Sequence, residues 1–224
     1  MAGLYIHIPF CRSKCAYCDF YSLPVGSILK KDPGSLSKYL KAILTELEMR
    51  AVEINEPIST IYIGGGTPTS VPMPELTDFI SSITKKTAAI NRRFQISEIM
   101  EFTIEANPED ISRETIDSLR KSGIDRISIG IQSFETAQLE AVMRRHDSNT
   151  SLRALAALKD SGINYSADLI YGLPGQSLDS WSSQIRTLLD FEPPHFSAYL
   201  LSYEPGTRLY AQKERGRVNE ADEQ

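Results

Sequence analysis

Three cysteines, separated by three and then by two residues, are the residues of this sequence best suited to chemistry. Cys11, Cys15 and Cys18 are the only cysteines among 224 residues, and an odd number cannot close a set of disulfides. One loop that carries three thiolates can bind three irons of a cubane iron–sulfur cluster. The fourth iron then has no protein ligand and is free to bind a small molecule. The spacing therefore predicts a [4Fe–4S] cluster with one open iron.

A structural zinc site is the alternative for the same loop. Such sites usually have four ligands, and His7 can in principle supply the fourth. However, His7 precedes the loop on an expected strand, and three residues between the first two cysteines are less usual for zinc than two. The cluster is the favoured interpretation, and zinc is kept as the alternative.

Glycines and a carboxylate follow two of the apolar runs at the points where those runs end. Gly64, Gly65 and Gly66 remove side chains where the backbone must approach a ligand closely, although a tight turn explains Gly64 alone equally well. Glu105 also ends a run, and a carboxylate there can accept two hydroxyl hydrogen bonds. For Glu105 the alternative is a solvated strand end.

Three more polar residues are candidates for a binding site. Gln132 has both donor and acceptor capacity, and Arg144 can bind a carboxylate through two parallel hydrogen bonds. A solvated helix face that includes Arg145 is the alternative for Arg144. Asp168 lies in an otherwise apolar run, where an unpaired carboxylate is costly, and this favours a role in a site.

The elements that must position these residues alternate between short β-branched runs and longer segments of helical period. This alternation is typical of repeated βα units. We expect strands at 4–8, at 60–63, up to Glu105, at 126–131, around 167–170 and at 196–201. We expect helices at 35–54, from Pro74, between Ser112 and Gly123, at 149–161 and around Trp181.

Six βα units predict an α/β fold of the incomplete (β/α)6 TIM-like barrel type, two units short of a closed eight-unit barrel. Cys11, Gly64, Glu105, Gln132 and Asp168 each fall at or just beyond the C-terminal end of a different expected strand. Barrel active sites are built on that face. We therefore expect these five residues to converge.

The composition narrows the function further. Apolar residues make up 41% of the chain and charged residues 24%, which is ordinary for a globular protein. The net charge of −5 provides no basic surface, so nucleic-acid binding is not expected. No apolar run approaches the roughly 20 residues that cross a bilayer, and residues 1–10 lack the pattern of a leader peptide. A cytoplasmic location is therefore expected.

Taken together, the motifs resemble the radical S-adenosylmethionine (SAM) superfamily, in particular the proteins related to oxygen-independent coproporphyrinogen III oxidase. The resemblance lies in residues 5–11, in Cys18-Asp19-Phe20, in 64–69 (GGGTPT) and in 168–174 (DLIYGLP), and it covers essentially the whole chain. It implies that SAM binds the open iron and is cleaved to methionine and a 5′-deoxyadenosyl radical. By match to the family motifs, the residues around SAM are Tyr5, Tyr17, Gly65, Gly66, Thr67, Glu105, Gln132, Arg144 and Asp168.

Two departures from the oxidase pattern favour the HemW-like branch of this family. The oxidase normally has a fourth cysteine two places after the third, where this sequence has Phe20, and it has an extension before the first strand. HemW-like proteins resemble heme chaperones, which implies heme as a ligand and a membrane-associated protein as its recipient. Radical decarboxylation of a porphyrinogen is the alternative.

The resemblance also implies a flavodoxin or ferredoxin as the reductant, and it assigns no catalytic residue. Both branches normally continue into a C-terminal domain. We therefore expect residues 1–210 to form the core barrel, and residues 211–224 to be the polar start of a further element or linker.

Overall fold

A parallel sheet of six strands forms the centre of the computed structural model, which describes residues 2–95 and 99–219. The strands are β1 (Ala2–Ile8), β2 (Ile58–Gly65), β3 (Glu101–Ala106), β4 (Arg126–Gln132), β5 (Asn164–Tyr171) and β6 (His195–Leu200). Each strand pairs with its predecessor in the chain. All six predicted strands and the parallel α/β class are confirmed. The sheet remains open, with β1 and β6 as its two edges.

Helices connect the strands and cover one face of the sheet. They are α1 (Val25–Lys31), α2 (Ser35–Arg50), α3 (Met73–Asn91), α4 (Arg113–Ser122), α5 (Thr136–Ala141), α6 (Ser148–Ser161), α7 (Leu178–Leu189) and α8 (Arg208–Glu214). In the described residues, none of these helices combines the length and the apolar character that a bilayer crossing requires.

The two faces of the sheet differ in polarity because successive strand residues point to opposite sides. Ile61 and Ile63 of β2 and Ile127 of β4 are buried in one apolar core with the helices. The opposite face carries polar side chains, and its register places Glu105 beside Ser128 and Asp168 beside Ser197. The sheet therefore has a packed outer face and a polar inner face.

Helix ends follow the signals expected from the sequence. The side chain of Ser112 accepts a hydrogen bond from the backbone of Thr115 and begins α4, and Gly123 ends it at a φ of 109°. Gly162 ends α6 in the same left-handed region, which glycine adopts without strain. These caps fix where β4 and β5 begin.

Some boundaries differ from the expected ones. The helix expected at 35–54 ends at Arg50 and continues as a short 3₁₀ turn, Ala51–Glu53. The six residues of α5 are too few to show a helical period in the sequence. The structure adds α8, Arg208–Glu214, which the sequence analysis did not predict. Of the expected tail, residues 220–224 lie outside the described part of the chain.

Candidate functional site

The cysteine loop, residues 11–18, and the segment just before it are anchored by backbone hydrogen bonds to three distant parts of the chain. Gly66 donates to the carbonyl of Ile8 at 2.9 Å, and Thr67 donates to that of Phe10 at 2.8 Å. Farther along the loop, the backbone of Ala16 donates to Val142 and accepts from Leu209. The loop is therefore held by the turn after β2, by the end of α5 and by α8.

The thiols of this loop lie beside hydrogen-bond donors. Cys11 is buried, and its Sγ lies 3.7 Å from the hydroxyl of Thr67. Nη1 of Arg144 lies 3.6 Å from the Sγ of Cys15. Burial raises the pKa of the Cys11 and Cys18 thiols, so metal binding here must displace protons. The donors are placed to stabilise the thiolates that form.

The arrangement of the thiols bears on the zinc alternative. Within residues 2–95 and 99–219, no three His, Cys, Asp or Glu side chains are placed to share one metal ion. Three thiolates that bind three different irons need not meet at a point. His7 is also engaged elsewhere, because its Nδ1 lies 3.1 Å from the Tyr5 hydroxyl and its Nε2 lies 3.0 Å from the carbonyl of Tyr21. Both ring nitrogens of His7 are therefore engaged by groups other than a metal ligand set.

A cavity of about 740 Å³ opens between the cysteine loop and the inner face of the sheet. Its volume is in the range of small-molecule sites. It is lined by all three cysteines and by eight of the nine residues expected around SAM: Tyr17, Gly65, Gly66, Thr67, Glu105, Gln132, Arg144 and Asp168. Asp168 lies within β5, three residues before the strand ends at Tyr171, and not at its end as expected.

Tyr5 is the expected residue that does not line this cavity. Its side chain is 57% exposed, and it borders a separate, smaller cavity of about 460 Å³ beside β1 and α2. The ring of Tyr5 stacks on that of Tyr62 at 6.0 Å between centroids. Tyr62, which the sequence analysis did not single out, lines the main cavity instead.

The glycine turn after β2 permits close contacts with neighbouring protein groups. A Cβ at Gly64 would lie 2.8 Å from Oε1 of Glu105, and one at Gly66 would lie 2.7 Å from the carbonyl oxygen of Phe10. Gly65 has a φ of 116°, which favours glycine. The turn thus brings the cysteine loop and Glu105 together.

Glu105 bridges this turn to the sheet. Its Oε2 accepts a hydrogen bond from the backbone of Gly65 at 3.0 Å, and its Oε1 accepts one from the Tyr62 hydroxyl at 2.8 Å. A carboxylate oxygen has two acceptor sites, so both oxygens keep capacity for a ligand. Glu105 is therefore a fixed carboxylate at the cavity wall and not a solvated strand end.

Gln132 and Arg144 line the cavity, and each has a buried polar atom without a hydrogen-bond partner. Arg144 donates to the side chain of Asn107 at 3.0 Å and to the carbonyl of Gly130, which excludes a solvated helix face for it. Its Nε and the Oε1 of Gln132 are buried without a hydrogen-bond partner. Buried polar groups usually have partners, so these two atoms fit a polar ligand such as SAM.

Asp168 faces the same cavity from β5. The hydroxyl of Ser128 lies 3.4 Å from its Oδ2. Burial raises the pKa of this carboxyl, and the nearby charge of Glu105 acts in the same direction. Two carboxylates therefore give the inner face an acidic character, which suits a ligand with hydroxyl groups and a positive charge.

Asn107 is a second site residue that sequence reasoning missed. Its side chain donates to the hydroxyl of Thr67 at 3.1 Å while it accepts from Arg144, so it joins the glycine turn to Arg144. Its signal was its position, two residues after Glu105 at the end of a strand.

The model of the radical SAM superfamily matches residues 5–186. The chain belongs to the radical SAM superfamily. Membership implies a [4Fe–4S] cluster and SAM, and the three cysteines and the unpartnered atoms of the cavity fit both groups.

Curated relatives of this radical SAM chain carry the name heme chaperone HemW. The protein of Buchnera aphidicola from Acyrthosiphon pisum is 37% identical over 94% of this chain and 53% of its own length. The Bacillus subtilis protein is 35% identical over 98% of this chain and 55% of its own length. The chain thus spans about half the length of these relatives.

Solved structures show the same fold. Coproporphyrinogen III oxidase (HemN) from Escherichia coli, described as a radical SAM enzyme, superposes with a TM-score of 0.77 at 26% identity, over 98% of this chain and 48% of that one. The archaeal Elp3 from Methanocaldococcus infernus has a TM-score of 0.68 at 22% identity, over 98% and 50% of the respective chains.

Proposed function

We propose that this chain is the cluster- and SAM-binding barrel of a HemW-like heme chaperone. The observation that carries the proposal is the cavity in which three cysteines meet unpartnered polar atoms, in a chain whose curated relatives are named heme chaperones. This chain spans about half the length of those relatives. The heme-related activity is therefore proposed for the full-length protein.

Cys11, Cys15 and Cys18 would hold the [4Fe–4S] cluster and leave one iron for SAM. When bound, the cluster supplies the electron that cleaves SAM to methionine and a 5′-deoxyadenosyl radical. The donors beside the thiols, Thr67 and Arg144, stabilise negative charge on sulfur. A charge-assisted hydrogen bond of this kind is roughly twice as strong as a neutral one.

The remaining cavity residues would bind and orient SAM. Arg144 supplies a cation with a free Nε, suited to a carboxylate, and Gln132 supplies a free amide oxygen, suited to a donor. Glu105 and Asp168 supply carboxylates that suit hydroxyl groups and the sulfonium charge. These roles follow from the chemistry of the side chains and from their common exposure to one cavity.

The heme-related part of the proposal includes partners outside this chain. We propose heme as the cargo, a membrane-associated protein as its recipient, a flavodoxin or ferredoxin as the reductant, and the cytoplasm as the location. Phe20 supports the chaperone over the oxidase, because it stands where the oxidase has a further cysteine. Its ring is 71% exposed at the cavity mouth, where it offers an apolar surface.

Radical decarboxylation of a porphyrinogen is the second candidate, and the structural likeness to HemN favours it. Parallel assays of the full-length protein, reconstituted with iron and sulfide without oxygen, separate the two functions. We expect stoichiometric uptake of heme and no protoporphyrinogen. Turnover of coproporphyrinogen III would contradict the chaperone and establish the oxidase.

Electron paramagnetic resonance tests the site itself. We expect the spectrum of the reduced, reconstituted protein to change when SAM is added, because SAM binds the open iron. An unchanged spectrum would contradict the SAM site. A colourless protein after reconstitution would contradict the cluster and restore the zinc alternative.

A further inference from the structure

His146 is a buried histidine just outside the cavity, on the segment between α5 and α6. Its side chain is wholly inaccessible to solvent. Nε2 lies 2.9 Å from the carbonyl oxygen of Ile131, and Nδ1 lies 3.5 Å from Oε2 of Glu109. His146 does not line the cavity itself. Both of its ring nitrogens therefore face oxygen atoms of the protein.

The two ring nitrogens of His146 make different contacts. A backbone carbonyl only accepts hydrogen bonds, so Nε2 donates to the carbonyl of Ile131. Nδ1 and Oε2 of Glu109 are both buried without a hydrogen-bond partner. The bond to Ile131 is therefore the contact that fixes the ring.

Charged groups of both signs surround Glu109. Arg145 lies 3.8 Å from Oε1 of Glu109 and is half exposed, and the charge of Arg144 lowers the pKa of Glu109. The charge of Glu109 in turn raises the pKa of the neighbouring Asp110. Glu109 therefore has cationic partners other than His146.

The carbonyl that His146 binds belongs to Ile131, near the C-terminal end of β4. Both neighbours of Ile131 in the chain line the cavity. Gly130, on one side of Ile131, accepts a hydrogen bond from Arg144. On the other side, Gln132 has a φ of 65°, lines the cavity and has a buried amide oxygen without a partner. A glutamine in this left-handed conformation is strained and persists only where its surroundings hold it.

We propose that His146 is a positioning residue for the SAM site. Through the hydrogen bond from Nε2, it holds the carbonyl of Ile131 and thereby fixes Gln132 and Arg144 in the lining of the cavity. This inference rests on the SAM-binding part of the proposed function and is independent of the heme-related part.

Nuclear magnetic resonance of the cluster-free chain tests the contact with Ile131. With ¹⁵N-labelled histidine the chain gives signals from only three residues, His7, His146 and His195, and the signals missing from His146→Leu identify His146. We expect Nε2 of His146 to carry a hydrogen that exchanges slowly with water, because it is bonded to the carbonyl of Ile131. A hydrogen on Nδ1 alone would overturn this contact.

The variant Glu109→Gln tests whether the contact with Ile131 depends on the carboxylate near Nδ1. We expect Nε2 of His146 to keep its hydrogen and its bond to the carbonyl, because Glu109 lies beside the other ring nitrogen. Loss of the hydrogen from Nε2 in Glu109→Gln would overturn the assignment of Ile131 as the partner that holds the ring.

SAM binding to the reconstituted protein tests the positioning. We expect the dissociation constant, measured by anaerobic equilibrium dialysis, to rise about tenfold in His146→Leu, which corresponds to about 1.4 kcal/mol. The control is Leu119→Ala in α4, a buried core position that lowers stability without contact to the site.

The outcomes separate this inference from the proposed function. If the wild-type protein binds no SAM, the proposed function fails. If the wild type binds SAM and His146→Leu binds it equally well, the positioning role is overturned. An equal loss of affinity in Leu119→Ala would also overturn it, because the effect would then follow from stability alone.

Discussion

The candidate site holds charged side chains in buried positions, where burial of the charge lowers the stability of the fold. Asp168 is the clearest case, because burial raises its pKa above the ordinary value of 3.8. The native state therefore binds this proton more readily than the unfolded chain does. The stability that Asp168 contributes falls as the pH rises from 3.8 through the raised value, and at neutral pH the ionised carboxylate is a cost.

We predict that Asp168→Asn raises the melting temperature of the cluster-free chain at pH 7 and weakens SAM binding. One kcal/mol corresponds to about 2–4 °C for a domain of this size, and a rise of that order is expected. Scanning calorimetry at several pH values measures it, and the difference from the wild type should vanish below pH 3.8. A lower melting temperature at pH 7 would contradict the prediction.

Arg12 and Asp110 form a second polar contact, between the cysteine loop and the segment after β3. Nη2 of Arg12 lies 2.8 Å from Oδ1 of Asp110, whose side chain is 3% exposed, while the hydroxyl of Thr69 donates to the other oxygen at 2.9 Å. Burial raises the pKa of Asp110 despite its partners. The buried charge of Asp110 therefore needs the cation of Arg12, whereas the half-exposed Arg12 does not need Asp110.

We predict an asymmetric effect of substitutions in this pair. Arg12→Ala leaves a buried carboxylate without its cation and should lower the free energy of unfolding by about 1–3 kcal/mol. Asp110→Asn retains an acceptor for Thr69 and should cost less. Urea denaturation of both variants measures the difference, with Arg50→Ala, in an exposed pair, as the control. A larger loss for Asp110→Asn than for Arg12→Ala would refute this account.

The turns between elements determine how closely the strands and the cysteine loop approach each other. Gly66 lies where a Cβ would meet backbone atoms of Pro9 and Phe10, and backbone cannot move aside as a flexible side chain can. Gly26, near the start of α1, has open space around it. The two glycines therefore differ in what a methyl group would displace.

We predict that Gly66→Ala prevents stable cluster assembly, because its methyl group separates the cysteine loop from the turn after β2. Gly26→Ala should assemble the cluster as the wild type does and should be equally or more stable, because alanine favours a helix by about 1 kcal/mol over glycine. Iron and sulfide content and visible absorption after reconstitution measure the outcome. Normal cluster content in Gly66→Ala would contradict the role given to this contact.

The elements were more predictable than the contacts between them. The β-branched runs and glycine stops predicted all six strands, because each signal is local. The short helix α5 was not predicted, and it places Arg144 in the site together with the following turn. The link from Arg144 to Asn107 spans 37 positions, and no local pattern encodes it. Asp168 was recognised as a site residue because its charge contradicts its apolar strand.

At the scale of the molecule, the open sheet leaves β6 as an edge with exposed residues on both faces. Phe196 is 38% exposed there. An edge strand with unpaired backbone groups and apolar side chains is a template for pairing with another chain. Self-association through β6 is therefore expected for residues 1–224 on their own as their concentration rises.

We predict that Phe196→Lys reduces this association, because a charge on an edge strand opposes pairing. Leu178→Lys is the matched control, since Leu178 is more exposed, at 77%, but begins a helix. Sedimentation velocity over a range of concentrations measures both variants. Equal effects of the two substitutions would show that general surface polarity, and not the strand edge, governs association.

The anchors of the cysteine loop also set an order of events during synthesis on the ribosome. The bonds from Gly66 and Thr67 can form as soon as the first two strands have emerged, since each later strand only adds to the growing edge. The contacts with Val142 and Leu209 must wait for much later parts of the chain. In a nascent chain the start of the cysteine loop is therefore fixed early, whereas the contacts that enclose its thiols form late. In the interval between these two steps an iron–sulfur donor can reach the thiols.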